Sequence, residues 1–181
     1  EYVARSGSQK AFWTNVGGGN IASSGQTSAC IEIVLDDGSF LSDLAWYCGN
    51  TFPESHVPGL LYPNAFALFD VHGNVAEWVL DSYNPETYIL WGNSVKNPVM
   101  IGKKLYPRVV RGGSFKSNIN ELRSAARGFS KEKWKRRDPQ IPKSLWWFTD
   151  ANNIGFRIVR PKKTPNKNDI NKMWVNPIKE Y

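Results

Sequence analysis

Hydrophobic and polar residues alternate along this chain only in short runs, and such runs predict short β-strands. Residues 30–35 form a β-prone run that ends at the turn signal Asp36-Asp37-Gly38. Val109–Phe115 is predicted to be a strand entering a tight glycine turn, and Leu122–Arg127 is similarly strand-like. Ile154–Val159 alternates in the way expected of a final strand.

Helical segments are predicted to be equally short. Glu1–Arg5 is expected to be the end of a helix, and Leu41–Tyr47 is expected to form one helical turn. Val75–Leu80 mixes small, acidic and aromatic residues and is expected to begin a helix after Gly73-Asn74. Gly128–Asp150 contains two prolines and many charges, so it is expected to be a long excursion loop.

The composition is that of one globular domain. Of the 181 residues, 41% are hydrophobic and 22% are charged. No apolar run approaches the roughly 18 residues needed to cross a bilayer, so no membrane span is expected. Eight tryptophans joined by segments rich in Gly, Pro and Asn predict a fold with much irregular backbone, stapled by buried rings.

The net charge of +7 arises largely in the second half of the chain. Residues 131–143 carry six basic side chains against two acidic ones. This balance favours acidic partners such as sulfated glycans, phosphates or lipid headgroups, and the alternative is a solvated Lys-rich surface with no partner. No zinc-finger, helix-turn-helix or single-strand-binding signature accompanies the charge, so no nucleic-acid partner is expected.

The chain has two cysteines, Cys30 and Cys48. A disulfide between them would indicate an extracytoplasmic location, and the alternative is a pair of buried free thiols. The sequence leaves both alternatives open, because it does not show whether the two residues meet.

Two carboxylates, Asp70 and Glu77, flank a Gly-Asn turn and offer a possible metal site. An extended stretch between them can aim the carbonyl oxygens of Gly73 and Val75 to one side. Hard oxygen ligands of this kind are what Ca²⁺ takes, at about 2.3–2.6 Å. The alternative is a capped helix start, in which Asp70 or Asn74 accepts backbone N–H groups.

Several strings together resemble the formylglycine-generating enzyme (sulfatase-modifying factor) family. Residues 63–78, PNAFALFDVHGNVAEW, resemble the family signature PNxxGLYDMxGNVWEW, and residues 108–115, RVVRGGSF, resemble RVxRGGSW. Residues 123–127 match RxAxR, and residues 154–157 match the closing GFR. Residues 1–5, EYVAR, look like the end of EAEWEYAAR. Order and approximate spacing agree, so the resemblance spans residues 1 to about 161.

The resemblance implies an α+β fold, an irregular variant of the C-type lectin fold with little regular secondary structure. EAEWEYAAR normally lies mid-domain, so residues 1–161 are expected to be the C-terminal part of such a domain. The N-terminal half would then be missing, in agreement with the absence of an initiator Met. Residues 162–181, rich in Lys, Asn and Pro, are expected to be a basic surface tail.

The resemblance also implies a structural calcium, held by the side chains of Asp70 and Glu77 and the carbonyls of Gly73 and Val75. The family's oxidases bind Cu(I) through two cysteines, five residues apart, shortly after RGGS. Ser117 stands where the first of these would be, and no cysteine follows Cys48. A serine hydroxyl is a poor ligand for the soft Cu(I) ion, so neither copper nor the oxidase mechanism is expected.

A candidate ligand-binding set surrounds the position where the family binds its peptide substrate. Arginines there could hold carboxylate or sulfate groups in bidentate fashion. The alternative is that Arg111, Arg127 and Arg157 are internal struts of an irregular fold. The set comprises Arg111, Ser114, Ser117, Asn118, Arg123 and Arg127.

Residues 134–161 resemble a subgroup string, WxRRDPQxPxSxWWxTDAxxxGFRxVRP, common among environmental bacterial members. Its adjacent tryptophans beside cations suit either cover for the core or stacking on a sugar. His56 and His72 have no metal-ligand spacing and are expected to be structural.

Three functions remain open at this point. The first is a calcium-stabilised, extracytoplasmic binding or assembly module that takes a peptide, protein or anionic glycan ligand. The second is an enzyme of different oxidative activity, like the iron-dependent sulfoxide synthases, whose iron-binding histidines belong to a separate domain. The third is a true formylglycine-generating oxidase that uses unrecognised thiols.

Overall fold

The fold combines short helices with short strands and leaves most of the backbone irregular. The computed structural model describes residues 1–22, 30–51, 53–92, 98–102, 104–145 and 147–173. The α-helices are α1 (Tyr2–Arg5), α2 (Thr87–Trp91), α3 (Ile119–Leu122) and α4 (Lys167–Met173), and 3₁₀ turns cover Leu41–Asp43 and Glu132–Lys135. The strands are β1 (Ala45–Trp46), β2 (His72–Gly73), β3 (Ala76–Ser82), β4 (Arg108–Arg111), β5 (Gly128–Phe129) and β6 (Ile154–Gly155). The expected α+β architecture with little regular secondary structure is confirmed.

The strands form two small sheets. In the first, β1 pairs with β2 in parallel, with Ala45 opposite His72 and Trp46 opposite Gly73. The second has the order β5-β4-β3-β6, and β3 pairs with β6 in parallel, with Ala76 opposite Ile154. Parallel pairing joins segments that are distant in the sequence. These strands therefore determine how the chain is connected in space, although each is short.

Internal contacts group the chain into two compact units. The first comprises Glu1–Glu77, Val110–Gly128 and Asn153–Gly155. α3 belongs to this unit and begins with a capping box between Asn118 and Glu121. The core of the unit is a cluster of fully or nearly fully buried side chains: Phe12, Ile33, Leu35, Leu41, Leu44, Ala45, Tyr47, Ile119 and Leu122.

The second unit packs around aromatic rings. The ring centroid of Trp78 lies 5.8 Å from that of Trp134 and 5.6 Å from that of Phe148. The ammonium of the buried Lys135 lies 5.2 Å from the Phe148 ring and also donates to the carbonyl of Ser144. The rings of Trp78, Trp134 and Phe148 therefore pack against one another in this unit. Of the two adjacent tryptophans, Trp147 is 43% exposed, which does not fit cover for the core, and Trp146 lies outside the described residues.

Three of the expected elements are confirmed. Helix α1 ends at Arg5, and Ser6 and Gly7 both adopt positive φ. β4 leads into Gly112 and Gly113, which also have positive φ. The Asp36-Asp37-Gly38 signal forms a tight turn, in which the Leu35 N–H donates to the Ser39 carbonyl at 2.9 Å.

The helix expected over Val75–Leu80 is wrong, because Ala76–Ser82 forms the strand β3. The N–H of Ala76 donates to the carbonyl of Asn153 at 2.9 Å, and that of Ser82 donates to Met100 at 2.8 Å. Small and acidic residues fit a helix start locally, but these long-range pairings override that preference.

Two further expectations need correction. The Leu122–Arg127 stretch is not a strand, because Leu122 ends α3 and the N–H of Ala126 donates to Arg123 in a turn. The final strand expected over Ile154–Val159 is limited to Ile154–Gly155, and the following residues are largely exposed. Of the helical turn expected over Leu41–Tyr47, only Leu41–Asp43 forms, as 3₁₀.

The open question about the cysteines has an answer in the structure, which joins Cys30 to Cys48 in a disulfide. In the expected tail, α4 occupies Lys167–Met173, and residues 174–181 lie outside the described part. Across the ranges that are described, no helix has both the length and the apolar character to cross a membrane.

Gly73→Ala should destabilise the fold severely, because Gly73 has φ +76° and a Cβ there would collide with the Trp46 carbonyl group, 2.9 Å from its carbon. Gly7→Ala is the matched control, with φ +91° and open space around the added methyl. We expect Gly7→Ala to cost about 1–2 kcal/mol for the left-handed conformation alone. Gly73→Ala should cost at least roughly 2 kcal/mol more.

Urea denaturation of the two variants measures this difference. Failure of Gly73→Ala to fold beside a folded Gly7→Ala is the same result in its extreme form. Equal losses in the two variants would show that the approach of Gly73 to Trp46 is unimportant.

Candidate functional site

Asn74 is the polar centre of the signature segment. Its side-chain Oδ1 accepts from the His56 N–H and its Nδ2 donates to the His56 carbonyl, both at 3.0 Å. Its own N–H donates to Trp46, and its carbonyl accepts from Phe115, both at 2.8 Å. With 3% of its surface exposed, Asn74 thus satisfies the backbone of three other segments inside the first unit.

The carboxylate of Asp70 lies beside this centre. Its Oδ2 accepts from the Gly59 N–H at 2.8 Å, and its Oδ1 accepts from Asn74 Nδ2 at 3.5 Å. Asp70 and Asn74 therefore accept N–H groups, as the capping alternative expected, although no helix begins here.

The four expected calcium ligands follow one another along β2 and β3. Gly73 ends β2, Val75 directly precedes β3, and Glu77 lies opposite Gly155 in β3. Two carboxylates and two peptide carbonyls are the right donors for Ca²⁺. Within the described ranges, no cluster of three or more His, Cys, Asp or Glu side chains could hold a metal ion. The calcium site stays a prediction.

Ser114 and Ser117 close a buried turn. The Ser117 N–H donates to the Ser114 carbonyl at 2.8 Å, and the Ser114 N–H donates to the Ser117 hydroxyl at 3.1 Å. The Ser114 hydroxyl accepts from the Asn153 side chain at 2.9 Å. Both hydroxyls are thus used in fixing the turn, in a buried position.

The disulfide approaches this same turn. The N–H of Cys48 donates to the carbonyl of Ser117 at 3.2 Å. Sequence reasoning missed this neighbourhood because the two residues belong to motifs far apart in the chain. No local signal could have revealed it.

The remaining members of the expected binding set have separate tasks. Asn118 caps α3, its Oδ1 accepting from the N–H groups of Asn120 and Glu121 at 3.0 and 3.4 Å. Arg123 is exposed and donates through Nε to the Asn120 carbonyl at 3.0 Å. Arg127 is half-buried. The structure thus brings Ser114, Ser117 and Asn118 into one turn.

Arg111 forms a strut within the first unit. Its guanidinium donates to the carbonyls of Ser124 at 3.2 Å, Ala125 at 2.9 Å and Ala126, and to the carboxylate of Glu1 at 3.1 Å. Burial acts to raise the pKa of Glu1, but hydrogen bonds from Arg5 and Arg111 outweigh it and lower this pKa. These contacts are those of the structural alternative for Arg111.

His72 is buried beside the core. Its Nδ1 lies 2.8 Å from the Leu122 carbonyl, and because a carbonyl can only accept, Nδ1 carries the proton. Burial lowers the pKa of His72 to about 4, so the ring is neutral near pH 7. A neutral ring packed 5.3 Å from Phe12 agrees with the structural role expected for it.

A cavity of about 470 Å³ lies in the first unit, and none of the candidate site residues described above is among its lining residues. Its lining residues include the aromatic Trp13, Phe40 and Tyr62 and the acidic Asp37 and Asp43. Sequence reasoning assigned no role to these five residues. They come from three separate segments, and only turn geometry brings them together.

Comparison with known proteins now identifies the family. Residues 1–162 match the family model described as the sulfatase-modifying factor enzyme 1-like domain. This chain belongs to the sulfatase-modifying factor family. The α+β fold described above is therefore the fold of a sulfatase-modifying factor domain.

Curated relatives of this sulfatase-modifying factor chain come from chlamydiae. The serine/threonine-protein kinase pkn1 of Chlamydia pneumoniae is 35% identical over 137 residues, covering 71% of this chain and 20% of the relative. The protein of the same name from Chlamydia caviae is 32% identical over 106 residues, covering 58% and 16%. The chain thus spans about a fifth or less of the relatives it matches.

Among solved structures, the Treponema denticola variable protein 1 is similar, with a TM-score of 0.48 and 19% identity. The similarity covers 84% of this chain and 41% of that protein.

Arg111→Met should destabilise this sulfatase-modifying factor domain, because three carbonyls and Glu1 lose their donor. We expect a loss of about 3 kcal/mol in the free energy of unfolding. Arg123→Met is the matched control, since this exposed arginine makes one hydrogen bond to Asn120, and its loss should stay within about 0.5 kcal/mol.

Chemical denaturation of both variants provides the measurement. If Arg111→Met lowers the free energy of unfolding no more than Arg123→Met does, Arg111 is not a structural strut. Its guanidinium is then available for a ligand.

Proposed function

We propose that this chain is a binding or assembly module of the sulfatase-modifying factor family, stabilised by calcium and without the family's copper-dependent oxidase chemistry. The observation that carries the proposal is that residue 117 is a serine whose hydroxyl is already used in a hydrogen bond. A serine hydroxyl stands there and accepts from the Ser114 N–H in a buried turn.

The cysteines of the chain give further support. The sequence contains two, Cys30 and Cys48, and they are joined to each other. Cu(I) requires soft thiolate ligands, and neither the disulfide nor a hydroxyl supplies them. A domain that has the family's scaffold but lacks free thiols for copper is better suited to binding a ligand than to oxidising one.

The disulfide also supports an extracytoplasmic location, where such bonds persist. With a net charge of +7, the module suits a peptide, protein or anionic glycan ligand. The kinase activity named for the chlamydial proteins belongs to much longer chains and does not enter this proposal.

One observation favours a second candidate, a thiol-dependent oxidase. Because Cys48 is hydrogen-bonded to Ser117, opening the disulfide would release thiols beside the turn that carries cysteine in the family's oxidases. The test of the first proposal therefore includes a reductant arm.

The test is incubation of the protein with a Cys-x-Pro-x-Arg peptide, copper and O₂, followed by peptide mass. We expect no conversion with or without reductant, beside an active oxidase as the positive control. Conversion of the peptide cysteine to the aldehyde would overturn the proposal. If conversion needs reductant and disappears in Cys48→Ser, the thiol-dependent candidate is correct.

Calcium should raise the thermal stability of the parent protein. When the calcium concentration is 100 times the Kd, binding to the folded state stabilises it by roughly 2.7 kcal/mol, which corresponds to a rise in Tm of roughly 5–10 °C. The rise should disappear in Asp70→Asn and Glu77→Gln. It should persist in Glu54→Gln, a control at an exposed carboxylate outside the expected site.

The readout is the difference in Tm between calcium and chelator, measured separately for each variant. This difference separates lost binding from the general loss that Asp70→Asn incurs at Gly59. Equal melting temperatures of the parent protein in calcium and in chelator would end the calcium assignment.

A further inference from the structure

The cavity in the first unit is bounded by three chain segments that hydrogen bonds fasten together. The Thr14 hydroxyl donates to the Asp37 carboxylate at 2.6 Å and accepts from the Gly18 N–H at 2.8 Å. On another side, the Tyr62 N–H donates to the Asp43 carbonyl at 3.1 Å. Its volume of about 470 Å³ lies within the range of small-ligand sites, and the fastened walls give it a preformed shape.

Three aromatic residues line the cavity. Trp13, Phe40 and Tyr62 all contribute, and the last two are 49% and 68% exposed. The face of such a ring carries negative potential and attracts cations, most strongly for Trp. Both of these exposed rings are therefore accessible to a ligand from solvent.

The charge of the cavity is opposite to that of the chain. Two acidic residues, Asp37 and Asp43, line it, and none of the lining residues that the structure describes is Lys or Arg, although the net charge of the chain is +7. Burial acts to raise the pKa of Asp37, but hydrogen bonds from Thr14 and Ser39 outweigh it and lower this pKa, so the group is an anion at neutral pH.

Asp43 differs from Asp37 in its bonding. It is exposed, and within the described part of the chain its carboxylate has neither a hydrogen bond nor an ion pair. It can therefore pair with a ligand without giving up a bond inside the protein. A second anion near the rings strengthens attraction for a cation, because Coulomb and cation–π terms act in the same direction.

We infer that this cavity binds an organic cation, an alkylammonium group of the kind carried by a lysine side chain or a choline headgroup. The inference rests on the proposed function as a binding module and names the chemistry that one of its sites recognises. Aromatic faces contact the apolar alkyl surface of such a cation, and Asp37 and Asp43 balance its charge.

The first experiment compares cationic and neutral probes by calorimetry at low ionic strength on the whole chain. The probes are choline, lysine blocked at both its α-amino and carboxyl groups, methyl glucoside, and 3,3-dimethyl-1-butanol, the uncharged isostere of choline. We expect at least one of the two cations to bind, with the neutral isostere bound at least about tenfold more weakly. Binding should weaken as salt is added.

The two cations distinguish the possible sources. Tighter binding of choline points to lipid headgroups, and cosedimentation with phosphatidylcholine vesicles should follow. Tighter binding of blocked lysine points to basic peptides. Absence of binding by both cations, equal binding of the neutral isostere, or preference for the glucoside would each overturn the inference.

Two variants locate the binding. Asp43→Asn removes a charge at an exposed position, and Tyr62→Leu removes an exposed ring, so both should fold. Each should weaken cation binding about tenfold, whereas Glu54→Gln, an exposed acid outside the cavity, should not. Unchanged affinity in both cavity variants would overturn the assignment.

Failure of this inference is distinguishable from failure of the proposed function. A folded protein that binds no cation and leaves the peptide cysteine unconverted remains a binding module of other specificity. Conversion of the peptide would overturn the proposal that the chain is a binding module without oxidase activity. The calorimetric result for cation binding would still stand.

Discussion

Gly73 and Asn74, consecutive residues with φ values of 76° and 58°, impose the constraint on which the first unit depends. Left-handed backbone at both positions turns their N–H groups toward two different segments. Gly73 donates to Gly112, and Asn74 donates to Trp46 and accepts from Phe115. The two residues thereby join β1, the end of β4 and the turn that carries Ser114. Any Cβ at position 73 would collide with the Trp46 backbone, so this position requires glycine.

A fold with so little helix and sheet needs other partners for its backbone polar groups, because buried N–H and C=O groups are costly when unpaired. Side-chain amides fill much of this need. Asn64 donates to Val3 at 2.6 Å and accepts from Phe66 and Leu68, much as Asn74 serves His56 and Asn118 serves α3. Arg111 does the same for three carbonyls. The family strings around these residues therefore mark the scaffold, and their presence alone does not imply the oxidase reaction.

The sequence supported local features better than distant ones. The turn at Asp36-Asp37-Gly38, the break after Arg5 and the entry of β4 into glycine follow from neighbouring residues, and all three are confirmed. The strand β3 could not be told from a helix start, because its partners near Asn153 and Met100 are remote. The same reason hid the Cys30–Cys48 pairing and the approach of Cys48 to Ser117. Arg111 was correctly considered as a strut, but its acceptors at residues 124–126 lay in a segment expected to be a strand.

The cavity and the turn that contains Ser117 are formed by different residues. The cavity lining comes from residues 13–16, 37–44 and 62–63, none of which belongs to the turn at Ser114 and Ser117. Replacing cysteine by serine at position 117 keeps that turn closed, because the hydroxyl accepts the Ser114 N–H. Leu41, Leu44 and Tyr47 share one buried cluster with Ile119 and Leu122, and Leu44 also lines the cavity. The proposed absence of oxidase chemistry and the inferred cation-binding cavity are thus compatible within one scaffold, because no residue belongs to both the turn and the cavity lining.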